Sequence, residues 1–198
     1  MAHALRKRFK WIQPYGDPMP QDVRPSGAPF KRLFFALPVK GSQRSDIAQW
    51  RRGLNLRSGK PVPSENFHLT LLFLGDVDAA QVPAICAVVD NLARPEAPLR
   101  LLLDRLQVWN RANALVLEPQ ETPAGMRQLV YGLQQALLPL GFQEQAREYR
   151  PHLTLSRDFR GQLPEATVAP EFFIAARHFT LYESRKGRYW PLAEWPLL

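Results

Sequence analysis

The chain has 198 residues, enough for one large domain or two small lobes sharing a core, and 45% of them are hydrophobic. Lys and Arg number 26 against 18 Asp and Glu, a net charge of +8 that favours polyanionic partners such as nucleic acid. One cysteine excludes an internal disulfide, and no apolar run approaches the roughly 20 residues of a membrane-spanning helix.

Residues 1–29 hold Pro14, Pro18, Pro20, Pro25 and Pro29 with Gly16 and Gly27, a spacing that sustains neither a helix nor a central strand. We read them as a flexible basic tail without the apolar stretch of a secretory signal, and a cytoplasmic protein is the expectation. The folded part is expected over 30–198. "KRLFFALPV" (31–39) suits a strand, and "SQRSDIAQWRRGL" (42–54) predicts a helix from Ile47, Trp50 and Leu54, with Ser42 as its cap. "FHLTLLFLG" (67–75) predicts a strand closed by Gly75, and 78–95 a helix with Pro83 in its first turns. "LRLLLDRLQVWN" and "ALVLEP" predict two strands joined at Asn110–Asn113. Residues 122–141 predict a helix with Thr122 as N-cap, Pro123 at its first position and Gly141 as its stop. "EYRPHLTLSRD" (148–158), "FFIAARHFTLYES" and "RYWPLAEWPLL" complete the set as strands. This irregular alternation predicts an α+β fold with antiparallel sheets, and no glycine-rich phosphate loop is present.

The string His-Leu-Thr-Leu occurs twice, at His68 and at His152. In a strand, residues i and i+2 share a face, so His68 and Thr70 project together, as do His152 and Thr154, while the leucines face a core. Two such strands side by side bring two imidazoles and two hydroxyls to one cleft. Imidazole titrates near neutrality, so one ring can serve as base and the other as acid, with the threonines as donors to an anionic oxygen. Acid, base and oxyanion donors suit in-line attack at a phosphodiester without a metal. A zinc site is not expected, because one Cys and four His are too few for the usual ligand sets. Cys86 has apolar neighbours at helical spacing and reads as structural. A third His-x-Thr, at His178 and Thr180, follows the second too closely to be another lobe-sized repeat and also reads as structural.

Duplicated His-x-Thr-x motifs on strands resemble the signature of the two-histidine phosphoesterase superfamily. With "RLFFALPV", "NFHLTLLFLGDV", "RPHLTLSRD" and "FTLYESRKGRYWPLAEW", residues 31–198 are most similar in pattern to the RNA 2′,3′-cyclic phosphodiesterases, also called 2′-5′ RNA ligases. The resemblance implies a bilobal α+β fold with pseudo-two-fold symmetry, antiparallel sheets flanking a positively charged central cleft, and helices outside. It implies hydrolysis of an RNA 2′,3′-cyclic phosphate end to a 2′-phosphate, with no metal or cofactor, and the reverse 2′-5′ ligation. His68 and His152 would be the acid and base, in either order, and Thr70 and Thr154 would hold the phosphate oxygens. Five residues past each His stand Phe73 and Arg157, an aromatic and a guanidinium that can sandwich a base or steady the phosphate. A monomer is expected, since one cleft needs no partner subunit. A phosphodiesterase of small cyclic nucleotides and a non-enzymatic RNA-binding protein are the competing readings.

Overall fold

The fold is built around an apolar strand, Phe30–Pro38 (β1), in which Leu33 to Leu37 are all buried, as befits a strand covered on both faces. The computed structural model describes residues 29–95, 97–145 and 148–197; the tail expected over 1–29 therefore lies, up to residue 28, outside the described residues. β1 is central in an antiparallel sheet with His68–Asp78 (β3) on one side and, on the other, His178–Arg185 (β9) followed by Arg188–Pro196 (β10). A second sheet runs in the order Lys60–Pro61 (β2), Leu153–Arg157 (β7), Ala114–Glu118 (β6) and Arg105–Trp109 (β5). A two-stranded ribbon, Leu99–Leu103 (β4) with Phe172–Ala176 (β8), completes the strands of the described residues. The architecture is α+β with antiparallel pairing throughout, as the sequence predicts.

Two segments that read as continuous strands divide between sheets. β4 pairs with β8 but β5 pairs with β6, and the break is at Asp104, whose carboxylate accepts a hydrogen bond from the Gln120 N–H at 2.8 Å. The "FFIAARHFTLYES" run breaks likewise at Arg177, between β8 and β9. Apolar patterning reports burial but not which sheet buries it.

Among the described residues three α-helices cover the sheets: Gly41–Gly53 (α1), Val82–Asp90 (α2) and Ala124–Leu137 (α3). Their caps correct the sequence reading. Lys40, not Ser42, holds the N-cap of α1, and Pro123 is the N-cap of α3 rather than its first helical residue, with no side-chain cap from Thr122. The segment expected as a helix over 78–95 opens with a 3-10 turn at Ala79–Gln81, where the Asp78 carboxylate takes the Ala80 N–H at 2.9 Å. Gly141, at φ +89, does stop the third segment after a 3-10 turn.

α1 reaches across to the second half of the chain, with Trp50 edge-on to Phe172 at 5.6 Å. α2 sits against the first sheet, where Trp195 donates to Asp90 at 2.7 Å. Buried residues from both large sheets and all three helices form one hydrophobic cluster, so the two halves share a core.

Candidate active site

Regular alternation cannot put His68 and Phe73 on one face, because five is an odd step. The strands solve this identically in both halves. On β3, Thr70 pairs with Ala36 and Leu72 with Phe35, leaving Leu71 without a partner: a β-bulge. On β7, Thr154 pairs with Val116 and Ser156 with Leu115, leaving Leu155 in the same state. Each bulge lies three residues past its His, and the extra residue turns Phe73 and Arg157 onto the histidine face. Gly75, expected to close the first strand, is instead a second irregularity at φ +76, and β3 continues to Asp78.

The imidazoles are held alike. His68 Nδ1 donates to the Asn66 carbonyl at 2.7 Å and His152 Nδ1 to the Arg150 carbonyl at 3.0 Å, each two residues upstream. A carbonyl only accepts, so in the neutral ring Nδ1 carries the proton and Nε2 presents a lone pair. Thr70 Oγ1 lies 3.1 Å from His68 Nε2. His152 stands one residue before β7 rather than inside it, after Pro151, which has no N–H for a ladder.

The surroundings of the two rings differ. His68 sits among aromatics: Phe34 at 5.2 Å and Tyr189 edge-on at 5.0 Å, with Phe34 stacked in turn on Phe73 and Tyr182. His152 packs at 4.3 Å on Trp109. The buried Glu118 carboxylate accepts from Trp109 Nε1 at 3.2 Å and from Arg150 at 2.8 Å, while the Arg150 guanidinium also lies over the Trp109 ring. Glu118 thus ties together the aromatic wall of His152 and the residue whose carbonyl orients it.

Cross-links bring the two motifs together. The Tyr149 hydroxyl donates to the Thr70 carbonyl at 3.0 Å, joining the approach to β7 with β3. Arg157, at the end of β7, donates at 2.6 Å to the hydroxyl of Tyr189, which itself lies against His68. From α1, Arg51 donates to the Val62 carbonyl and, at 3.1 Å, to the Leu155 carbonyl at the bulge, while its guanidinium covers Phe67, the residue before His68.

Burial pushes both imidazoles down to about 4, the largest cause in each case. The carbonyl bonds at Nδ1 oppose this; the charges of Arg157 and His152 push His68 further down, and that of Arg150 does so for His152. The free site therefore holds two neutral imidazoles beside Arg157.

His68, Thr70, Phe73, His152 and Arg157 gather around this face, with Thr154 on the strand between His152 and Arg157. His178 does not join them: it lies across β1, near Lys40 Nζ at 3.2 Å and Glu194 at 3.9 Å, and Thr180 is fully buried. Tyr149, Tyr189, Trp109, Glu118 and Arg51 belong to the site and carry no motif. Tyr189 stands in the run "RYWPLAEW", but only the pairing of β9 with β10 brings it to His68. Among the described residues, no group of three or more His, Cys, Asp or Glu could hold a metal ion, and no helix is long and apolar enough to cross a membrane.

A family model for LigT-like phosphoesterases matches residues 37–117 and 116–192, one match per motif. The chain is 33% identical over 175 residues to the RNA 2′,3′-cyclic phosphodiesterase of Escherichia coli K12, covering 84% of this chain and 97% of that protein. A structure of E. coli LigT complexed with 3′-AMP superposes with a TM-score of 0.76 at 32% identity, over 85% of this chain and 98% of that one. The structure of TT0787 of Thermus thermophilus gives 0.71 at 26% identity, over 84% and 97%.

Proposed function

This chain belongs to the LigT-like phosphoesterase family, and we propose that it hydrolyses RNA 2′,3′-cyclic phosphate ends to 2′-phosphates by paired-histidine catalysis. The observation that carries this reading is the repeated device: a bulged strand, an imidazole fixed through Nδ1 to the carbonyl two residues upstream, and a threonine two residues on. Curated relatives named RNA 2′,3′-cyclic phosphodiesterase, from E. coli and from Bacillus subtilis, support the reaction class.

In this scheme His152 Nε2 takes the proton of a water whose oxygen attacks phosphorus. The P–O3′ bond breaks, and His68 as imidazolium delivers a proton to the leaving 3′-oxygen, so that one proton enters the site as one leaves. The near-symmetry of the motifs leaves the exchange of these two roles open. Thr70 and Thr154 donate to the non-bridging oxygens, Arg157 offsets their charge, and Phe73 packs against the terminal base. Ring strain in the cyclic phosphate drives the reaction, so the scheme needs neither metal nor nucleotide cofactor. With an RNA 5′-hydroxyl in place of water, the same steps form a 2′-5′ linkage. Residues 30–198 act as one unit in this reading, as a monomer in the cytoplasm, and elution as a stable dimer on gel filtration would contradict the monomer.

The test is a short RNA with a 2′,3′-cyclic phosphate end, incubated in EDTA with wild type or with His152→Ala. A 2′-phosphate product from wild type alone is expected. Equal turnover by the variant overturns the two-histidine scheme. Turnover of free cyclic nucleotides with none of RNA ends would assign a small cyclic phosphate as the substrate.

A further inference from the structure

β9 and β10 are joined by Lys186 and Gly187, both at positive φ (+51 and +73), the two-residue turn whose twist matches that of the strands. Arg185 and Arg188 face each other across this turn, so three of its four residues are cationic and all three are exposed. Like charges opposite one another in a hairpin are destabilising. Elsewhere Lys31, Lys60 and Arg150 each face a carboxylate, whereas among the described residues Arg185, Lys186 and Arg188 form no ion pair. Beside them Trp190 is 43% exposed, with the Arg185 guanidinium 5.2 Å over its ring.

This tip is fixed at the mouth of the catalytic cleft. The Gly187 carbonyl accepts from Asn66 Nδ2 at 2.9 Å, and Asn66 is the residue whose own carbonyl orients His68. The next residues alternate across the hairpin: Tyr189 lies on the cleft side against His68, while Trp190 lies on the other side with Arg185. A strand leaving the cleft past Tyr189 therefore meets Lys186 and Arg188 at the tip, then an accessible indole backed by a guanidinium. Uncompensated cations interleaved with an exposed aromatic ring suit the phosphates and unstacked bases of a single strand.

We propose that the β9–β10 tip is a second binding site, a platform for the single-stranded body of an RNA whose 3′ end lies in the cleft, with Lys186 and Arg188 on backbone phosphates and Trp190 stacked on a base. The proposal rests on the functional reading above. It makes the tip the element that favours an RNA end over a free cyclic nucleotide.

The experiment compares wild type, Trp190→Ala and the double variant Lys186→Ala/Arg188→Ala on two substrates: adenosine 2′,3′-cyclic phosphate, and an oligoribonucleotide of about ten residues with the same end. Each variant is expected to lose on the order of tenfold in kcat/KM on the oligonucleotide, chiefly through KM, and nothing on the mononucleotide. In the double variant the salt dependence of log(kcat/KM) should flatten by about 0.7 for each phosphate no longer neutralised. Equal losses on both substrates, or none on either, would overturn the platform. Fluorescence anisotropy with the same oligonucleotide ending in a 3′-hydroxyl separates binding from turnover. Weaker binding by the variants upholds the platform even if wild type hydrolyses neither substrate, and binding equal to wild type removes it whatever the activity.

Discussion

With Nδ1 of each ring committed to a carbonyl, the proposed proton transfers of His68 and His152 fall to Nε2. His68→Ala and His152→Ala should each lower kcat by roughly 10² to 10⁴, with Thr70→Ala and Thr154→Ala losing less; single-turnover rates on a cyclic-phosphate RNA would check this. In the proposed scheme Glu118 acts at one remove, as a positioning residue. Glu118→Gln keeps an acceptor for Trp109 but removes the negative charge that offsets Arg150, whose cation already pushes His152 down. One limb of the kcat/KM pH profile should therefore move to lower pH while the melting temperature changes little. An unmoved profile would reduce Glu118 to a packing role. The histidines and threonines were legible because the motif is contiguous. Glu118, Trp109 and Tyr189 were not, because each reaches the site from a different strand.

At the scale of elements, the paired bulges decide what faces the cleft. The apolar strings "LTLLFLG" and "LTLSRD" show where strands run, but a residue dropped from a ladder is a matter of register between partners, which neither strand states alone. Gly59 supports the second bulged strand. It sits at φ +82, and a Cβ there would lie 2.4 Å from Ser156 Oγ and 2.9 Å from the Arg157 carbonyl. Gly59→Ala should cost on the order of 1–3 kcal/mol in urea unfolding and raise KM by displacing Arg157; an unchanged KM would separate Arg157 from this contact. Arg51 supports the bulge from the other side. Arg51→Met would leave the Val62 and Leu155 carbonyls without their donor, with an expected loss of about 1.5–3 kcal/mol, the range for hydrogen bonds to charged groups, read from the denaturation midpoint.

For the whole molecule, the depressed imidazoles make stability depend on pH. Unfolded histidine titrates near 6.5 and the folded rings near 4, so between these values the unfolded chain binds more protons. The contribution of the two rings is fully present above about pH 6.5. It is lost as pH falls toward 4 and changes no further below. A His68→Ala/His152→Ala protein should show a shallower fall in melting temperature over that window than wild type. The same shifts should place the optimum of a bell-shaped kcat/KM profile on the acid side of 6.5. The kcat profile should move back toward neutrality, since a bound phosphate anion favours imidazolium. A kcat/KM optimum above neutral pH would contradict the pair of neutral imidazoles.

Local and repeated features are legible in the chain alone: the apolar strands, the α+β class, and the doubled His-Leu-Thr-Leu string. Tertiary structure decided which strands pair, where each ladder drops a residue, and therefore that Phe73 and Arg157 turn inward while the third His-x-Thr stays apart with Thr180 buried. It also decided that Arg157 of the second sheet meets Tyr189 of the first. Burial and chemistry are properties of single residues and their neighbours in the chain. Register and juxtaposition are properties of pairs of distant segments, settled only when the shared core closes.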